Sequence, residues 1–392
     1  MHSTADMGAP LRVALFTDTF APQVNGVAKT LGRWLGAMTS RGHDARVFTT
    51  SCPNVPQSAN VRRFPSIPFW AYRELRLSAP EWRRTRAEVL DFAPTLLHSA
   101  TPFGVGLAGR RAALECGIPF VTSYHTNFVE YSAHYGLGAL QIPGLAFLRW
   151  FHNSGARTFV PTSATARDLT RRGFENLRIW SRGVDCTRFQ PGFRDDGLRT
   201  RMGATRDTVV VAYVGRLARE KGIDIALDAM RMVARTRPGT VLAIAGDGPH
   251  EGECRRAAPA CAYFAGRLTG DALSAFYASA DLFVFPSTTD TFGNVLLEAM
   301  ASGLAIVGAD VPQTREVVGD HAGVFAAPND PAAFAEAIIA LADDRAAQAA
   351  RRHAAVARAR ARSWHDVFDL LVDEYRVAAG QCVPRIATRP AA

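Results

Sequence analysis

Two cations stand close together in the run Val214-Gly215-Arg216-Leu217-Ala218-Arg219-Glu220-Lys221-Gly222. An apolar strand pattern, residues 208–214, precedes the pair, and a helical pattern starts at Ile223. Arg216 and Lys221 therefore share one strand-to-helix loop, above a helix N-terminus. Such a place holds a diphosphate without a metal; the plain alternative is a solvated charged loop. The scarcity of lysine favours the phosphate. Of 45 basic residues only Lys29 and Lys221 are lysines, and a compact point charge is what lysine offers over arginine. The loop is not a Walker loop, because no G-x-x-x-x-G-K-[ST] occurs.

A second strand-to-helix junction, residues 287–300, carries Asp290 in its loop and Glu298 in what reads as the first turn of a helix over 295–301. Paired acceptors hold hydroxyl groups, as sugars and ribose require; the helix dipole alone also accounts for an acid such as Glu298. The backbone N–H groups of Gly293, Asn294 and Val295 can cap a phosphate between the two acids. His125 closes a strand in Ser123-Tyr124-His125-Thr126-Asn127, where polar residues crowd one strand end; a substrate contact and a structural histidine both fit. Gly26 lies just before a helix, in the loop after the first strand, and lets a ligand approach the backbone. A plain turn fits it equally, as it does Gly246-Asp247-Gly248-Pro249. Gly104, Gly106 and Gly109 form G-x-G-x-x-G. A dinucleotide site needs an acid at the end of the next strand. That strand ends at Tyr124-His125, with Glu130 beyond it, so the glycines read as tight helix–strand packing. No Asp-x-Asp pair occurs. Neither a divalent metal nor another cofactor is expected.

These residues need strand ends to hold them, and both halves of the chain supply strands alternating with helices. The first half reads as strands at 12–17, 45–49, 61–64, 95–99, 119–124, 159–162 and 177–180, with helices at 28–40, 82–92, 107–116 and 164–172. Residues 183–206, rich in Gly, Pro and charge, read as a linker. Strands return at 208–214, 241–245, 262–264, 281–285, 304–308 and 323–325, around helices at 223–236, 271–279 and 295–301. From Pro331 the chain reads as Ala/Arg-rich helix to about Gly380, with a break at Ser363. The expected class is α/β: two Rossmann-like, doubly wound domains, 1–190 and 191–363, facing across a cleft. Ligands bind at the carboxyl ends of such sheets.

Composition bounds the rest. The chain has 392 residues, 48% hydrophobic and 21% charged, which excludes wholesale disorder. Mean hydropathy is −0.02, and apolar runs such as 209–214 are far too short to cross a bilayer. Residues 1–10 show no basic start followed by an apolar core, so no secretory signal is expected. Six cysteines form no CxxC pair, which argues against a zinc ribbon or disulfide scaffold and fits a reducing cytosol; Cys254 and Cys261 read as buried thiols. The net charge of +9 is uneven. Residues 1–190 hold 22 Arg/Lys against 12 Asp/Glu, and residues 191–392 hold 23 against 24. The basic half suits nucleic acid, an anionic membrane or an acidic substrate. Aromatics mix with arginine at 69–73, 82–86 and 145–151. On a surface helix that mixture suits the headgroup region of an anionic leaflet; core aromatics beside solvated arginines are the alternative.

Taken together, residues 22–27, 123–127, 182–185, 215–222, 246–249 and 290–298, running on into Ala299-Met300-Ala301-Ser302-Gly303, resemble glycosyltransferase family 4. Its members have two Rossmann-like domains in the arrangement called GT-B. The resemblance runs over residues 11–378. It implies that Gly26 meets the donor diphosphate, that His125 lies beside the transferred sugar and that Arg216 and Lys221 bind the diphosphate. It further implies that Arg267 and Leu268 border the base, that Glu298 holds the ribose and that Asp290 holds a sugar hydroxyl. The family pattern is Glu-x7-Glu; here the first acid is Asp290, one methylene shorter. A last helix, about 364–380, is expected to pack back on the first domain. The implied reaction moves a hexose from a nucleotide sugar with retention, by a front-face route, since no carboxylate nucleophile is apparent. Tyr124-His125-Thr126-Asn127-Phe128 with Tyr131, Tyr135 and Gly136-Leu137-Gly138 looks most like members that mannosylate membrane lipids from GDP-mannose. The alternatives are relatives that use UDP-glucose or UDP-sulfoquinovose, and a UDP-GlcNAc 2-epimerase of the same architecture, which needs further acids around the sugar. The expected partners are a nucleotide sugar, a lipid or glycolipid acceptor and an anionic membrane surface, not nucleic acid. The expected place is cytoplasmic, peripheral at the inner face of the membrane.

Overall fold

The computed structural model describes residues 9–23, 25–52, 55, 58–69, 72–126 and 141–381. Val13, Ala14, Leu15 and Phe16 are all buried, so the first strand is covered on both faces, as in a parallel sheet wound with helices. The first half contains β1 (Arg12–Thr17), β2 (Asp44–Thr50), β3 (Val61–Phe64), β4 (Ile67–Phe69), β5 (Tyr72–Leu77), β6 (Leu96–Ser99), β7 (Phe120–Ser123), β8 (Arg157–Val160) and β9 (Leu177–Ile179). Seven of these form one parallel sheet in the order β3-β2-β1-β6-β7-β8-β9. β4 and β5 pair antiparallel beside it. The second half contains β10 (Val210–Val214), β11 (Val241–Ala245), β12 (Ala262–Gly266), β13 (Leu282–Phe285), β14 (Ala305–Ala309) and β15 (Gly323–Ala326). They form a parallel sheet in the order β12-β11-β10-β13-β14-β15. Strand order reverses between β1 and β6 and again between β10 and β13. A doubly wound sheet opens a ligand crevice at such a point.

Helix Gly26–Ser40 turns Leu31, Trp34 and Met38 onto the first sheet. Helix Trp364–Ala378 lies on the same core through Phe368, Leu371, Val372 and Tyr375. Arg41 pairs with Asp369 at 2.8 Å and Arg157 with Glu374 at 3.2 Å, fastening this last helix to the first half. It starts at Ser363, whose hydroxyl accepts from Asp366 N at 3.1 Å.

Several elements depart from the sequence reading. The long C-terminal helix has a further break, because Asp344 caps Arg345–Arg360 by accepting from Ala347 N at 2.9 Å. The expected linker is largely structured. It holds a 3₁₀ turn, Pro191–Phe193, and a helix, Asp196–Arg201, capped by Asp195, and its Phe189, Met202 and Ala204 are buried in the second core. Helices Gln141–Asn153, Glu251–Ala257 and Pro312–Ala322 add to those expected. Cys254 is buried, but Cys261 is only half-buried.

Candidate active site

The loops that follow β1, β6 and β7 face those that follow β10, β11, β12 and β13 across a cleft of about 1130 Å³. Gly26, His125, Arg216, Lys221, Arg267, Leu268, Asp290, Gly293, Asn294, Val295 and Glu298 all line it. Asn127, Phe128, Tyr131, Tyr135 and residues 136–138, together with Val24, Trp70 and Ala71, lie outside the described residues.

Two helix N-termini meet here, one from each half. Helix Gly26–Ser40 begins where Asn25 Oδ1 accepts from Ala28 N at 2.8 Å. Helix Asn294–Ala301 begins after Gly293, whose φ of 76° is left-handed and favours glycine; its first amides take no side-chain cap. A Cβ on Gly26 would lie 3.3 Å from Asn294 Nδ2, so the two ends nearly touch. Their dipoles both present positive charge to the cleft.

The cations stand beside them. Lys221 Nζ is 2.7 Å from Asp290 Oδ1. Arg216 Nη1 is 3.5 Å from Glu220 Oε1. Their loop is held from both sides: Thr289 Oγ1 donates to Glu220 O at 3.0 Å, and Leu217 N donates to Asp247 O at 2.8 Å. A Cβ on Gly246 would fall 1.8 Å from Gly215 O, so that glycine serves the close approach of two loops. Arg267 reaches Asp247 at 3.8 Å, and Leu268 packs half-buried against the second core.

Glu298 sits in the second turn of its helix, not the first, because the helix starts at Asn294. Dipole stabilisation fades beyond the first turn, so the bland explanation for this acid weakens. Tyr277 Oη donates to Glu298 Oε2 at 3.1 Å. Burial raises the Glu298 carboxyl above its ordinary range, and Lys29, Tyr277, Arg33 and Arg188 draw it partly back. Lys29 and Arg33 come from helix Gly26–Ser40, across the cleft. Sequence reasoning marked Lys29 only as a rare residue and missed Arg33 and Tyr277.

His125 is nine-tenths buried. Arg182 Nη2 meets its Nδ1 at 2.8 Å, and Trp180 stands edge-on with ring centroids 5.3 Å apart. Thr291 Oγ1, from the other half, donates to His125 O at 2.8 Å. Arg182 appeared in the sequence only as part of a motif; its contact with His125 joins residues 57 apart.

The G-x-G-x-x-G glycines serve packing. Added Cβ atoms would lie 1.7 Å from Ser78 O at Gly104, 1.7 Å from Thr101 O at Gly106 and 2.6 Å from the Phe16 ring at Gly109. The N-terminus of helix Gly104–Cys116 already holds an anion, the buried Asp18 carboxylate. It accepts from Thr101 Oγ1 at 2.6 Å, Val105 N at 2.9 Å and Gly106 N at 3.4 Å. Burial raises the Asp18 carboxyl against these bonds. Asp18 was missed; its position at the end of the first strand was the available signal.

The aromatic–arginine segments are partly core. Leu148 and Phe151 are buried, whereas Trp150 is half exposed with the Arg110 guanidinium 3.9 Å from its ring centroid. Trp82 packs against the first core under Arg111. Among the described residues, two clusters offer metal-ligand atoms, Asp224/His250/Cys254 and His365/Asp366/Asp369; neither lines the cleft. No helix among the described residues is long and apolar enough to cross a membrane.

Residues 24–188 match the model of Glycosyltransferase Family 4, and residues 208–344 that of Glycosyl transferases group 1. A GDP-mannose-dependent alpha-mannosyltransferase of Mycobacterium tuberculosis is 32% identical over 383 residues, 95% of this chain and 98% of that protein. The chain belongs to glycosyltransferase family 4. A sulfoquinovosyl transferase of Arabidopsis thaliana is 33% identical over 313 residues, 77% of this chain and 60% of that protein. Sucrose-phosphate synthase from Thermosynechococcus elongatus has a TM-score of 0.76 at 19% identity, over 93% of this chain and 98% of that one, a likeness of fold. That fold is GT-B, as the resemblance implied. In this glycosyltransferase the cleft carboxylates among the described residues, Glu220, Asp247, Asp290 and Glu298, all come from the second half. Each faces a cation or a phenol of its own half.

Proposed function

We propose that this glycosyltransferase moves mannose from GDP-mannose, with retention, to a lipid or glycolipid acceptor at an anionic membrane surface. The likeness to a GDP-mannose-dependent alpha-mannosyltransferase over 95% of the chain carries the choice of donor. On this reading the diphosphate lies between Arg216, Lys221 and the two helix N-termini, and the amides of Gly26, Gly293, Asn294 and Val295 face it. Glu298 accepts from the ribose hydroxyls, and Asp290 from a sugar hydroxyl once Lys221 has turned to the phosphate. Arg267 and Leu268 border the base, and His125 faces the sugar. As the bond from the anomeric carbon to the phosphate oxygen breaks, its electron pair stays on that oxygen. The acceptor hydroxyl attacks from the same face and gives its proton to the departing phosphate oxygen. Preorganised cations and helix ends stabilise the developing charge, so no divalent metal takes part. The absence of a carboxylate among the described lining residues of the first half supports this front-face route over a covalent glycosyl-enzyme.

The exposed arginines Arg83, Arg84 and Arg86, with the pair Arg110 and Trp150, support a membrane-facing first half. A UDP-sugar donor is the second reading, favoured by the sulfoquinovosyl transferase likeness. One experiment separates the two. The full chain is incubated with GDP-mannose, UDP-glucose or UDP-sulfoquinovose, with and without EDTA, on vesicles of anionic or neutral lipid at two salt concentrations. Transfer to lipid from GDP-mannose alone, undiminished by EDTA and tied to anionic vesicles at low salt, is the expected result. Turnover of a UDP-sugar instead overturns the choice of donor. Turnover that vanishes in EDTA and returns with Mg²⁺ overturns the metal-free route. Equal, negligible pelleting with all vesicles overturns the membrane surface.

A further inference from the structure

We propose that Arg182 is a positioning residue that fixes His125 as a neutral imidazole with its proton on Nε2, so that the sugar meets a hydrogen-bond donor there and never an acid or a base. The guanidinium offers donors only. Arg182 Nη1 donates to Trp180 O at 2.6 Å and to Ser181 O at 3.0 Å, which locks the group, and Nη2 then points at His125 Nδ1 from 2.8 Å. Nδ1 must accept, so the single proton of the neutral ring rests on Nε2. That atom is buried with no partner among the described residues, on a residue that lines the cleft. Trp180 stands edge-on against the ring, and Thr291 holds the backbone carbonyl of the same residue.

A second proton would have to sit on Nδ1, facing the guanidinium N–H. Among the described residues, the charged and titratable groups that act on His125 oppose it: Arg182 after β9, His98 on β6 and His152 on helix Gln141–Asn153. Burial opposes it most, and the His125 pKa lies well below the ordinary histidine value. Nε2–H therefore suits a hydroxyl or phosphate oxygen of the donor. This use rests on the cleft being the nucleotide-sugar site; the state of the ring does not.

The test uses the full chain with ¹⁵N-labelled histidine side chains and long-range ¹H–¹⁵N correlation. His125→Phe assigns the resonance. The expected result is an Nε2–H tautomer that does not titrate between about pH 5 and pH 8. A resonance that titrates near the ordinary histidine value, or that shows Nδ1–H, overturns the proposal. In Arg182→Leu the ring should mix tautomers or titrate, whereas Arg182→Lys, also a donor only, should keep the wild-type pattern. In kinetics, Arg182→Leu should lose about ten-fold in kcat, the worth of one oriented hydrogen bond, and gain an acid limb. GDP and UDP, which lack the transferred hexose, should bind it within two-fold of wild type. Equal loss of nucleoside diphosphate affinity and kcat would mean a merely structural role. Should neither diphosphate bind the wild type, the donor reading fails, and the resonance of the free protein still decides the tautomer.

Discussion

Replacing Lys221 by alanine does two separable things. On the proposed reading it removes a cation that faces the leaving diphosphate; one preorganised group of that kind is worth roughly 10²–10³ in turnover. It also strips Asp290 of a partner 2.7 Å away, in a pair whose side chains are only 20% and 23% exposed. The bare carboxylate then stands beside two phosphates. Two like charges about 5 Å apart repel by roughly 3 kcal/mol at an effective dielectric constant of about 20, and open water in the cleft reduces this to about 1–2 kcal/mol. Together these terms put Lys221→Ala at about 10³-fold or more below wild type in kcat/KM. The repulsive part is removable. Lys221→Ala/Asp290→Asn should recover about ten-fold over Lys221→Ala, although Asp290→Asn alone slows the enzyme by losing a sugar contact. Steady-state kinetics with GDP-mannose on the four proteins of the cycle, with GDP affinity measured alongside, reads both terms. A single variant within a few-fold of wild type would refute the phosphate assignment. A double variant no faster than Lys221→Ala would refute the electrostatic coupling.

Burial raises the Glu298 carboxyl, so it takes up its proton at higher pH than an ordinary glutamate. Affinity for GDP should therefore be full above that raised value and fall as pH drops through it. Glu298→Gln should bind weakly at every pH, and Lys29→Ala, which removes a charge that lowers the carboxyl, should move the acid limb upward; calorimetric titrations showing a downward move would contradict this. Gly106→Ala places a methyl 1.7 Å from Thr101 O and should cost about 3 kcal/mol by overpacking, read from denaturant unfolding; an unchanged midpoint would remove the packing role. Asp281 is the buried partner of Arg199 at 3.1 Å and also meets Arg194 and Arg352. Asp281→Ala should cost about 3–5 kcal/mol, because it leaves Arg199 buried and unpaired, and a loss under 1 kcal/mol would count against that account.

The sheets were legible because β1 and β10 are apolar on both faces, and a run of that kind has few other uses. The loops that bear Arg216, Lys221 and Asp290 were legible for the same reason: each follows such a strand and precedes a helix. Other elements carry no strong period. Helix Pro312–Ala322 is interrupted at Gly319, with φ of 69°, and Asp196–Arg201 has six residues. The hairpin of β4 and β5 shifts register between Pro68 and Phe69, which spoils its alternation. Starting the helix at Val295 rather than Asn294 was enough to put Glu298 in the wrong turn. Arg182 and Asp18 act on groups 57 and 83 or more residues away. Only the strand order brings them there, and no local pattern encodes it.

The two halves bring unlike chemistry to the cleft. The described lining of the first half offers a helix N-terminus at Gly26, the cation Lys29 and the His125 ring, and no carboxylate. The second half offers four carboxylates, three of them beside a cation from the same half. Lys221 and Asp290 satisfy one another, so neither stands as an unpaired, part-buried charge, which would be costly. On the proposed reading, a nucleotide sugar exchanges that pair for two others, Lys221 with phosphate and Asp290 with a hydroxyl. Charge stays compensated at each stage. On the same reading, once the sugar has moved on, Asp290 loses its hydroxyl and competes with the diphosphate for Lys221, which favours product release. The resemblance puts a glutamate where this chain has the shorter Asp290, and on the proposed reading lengthening it to glutamate changes its reach towards both the lysine and the sugar. Asp290→Glu should therefore alter the release of GDP as well as the turnover of donor, and stopped-flow displacement of GDP would show whether the two change together.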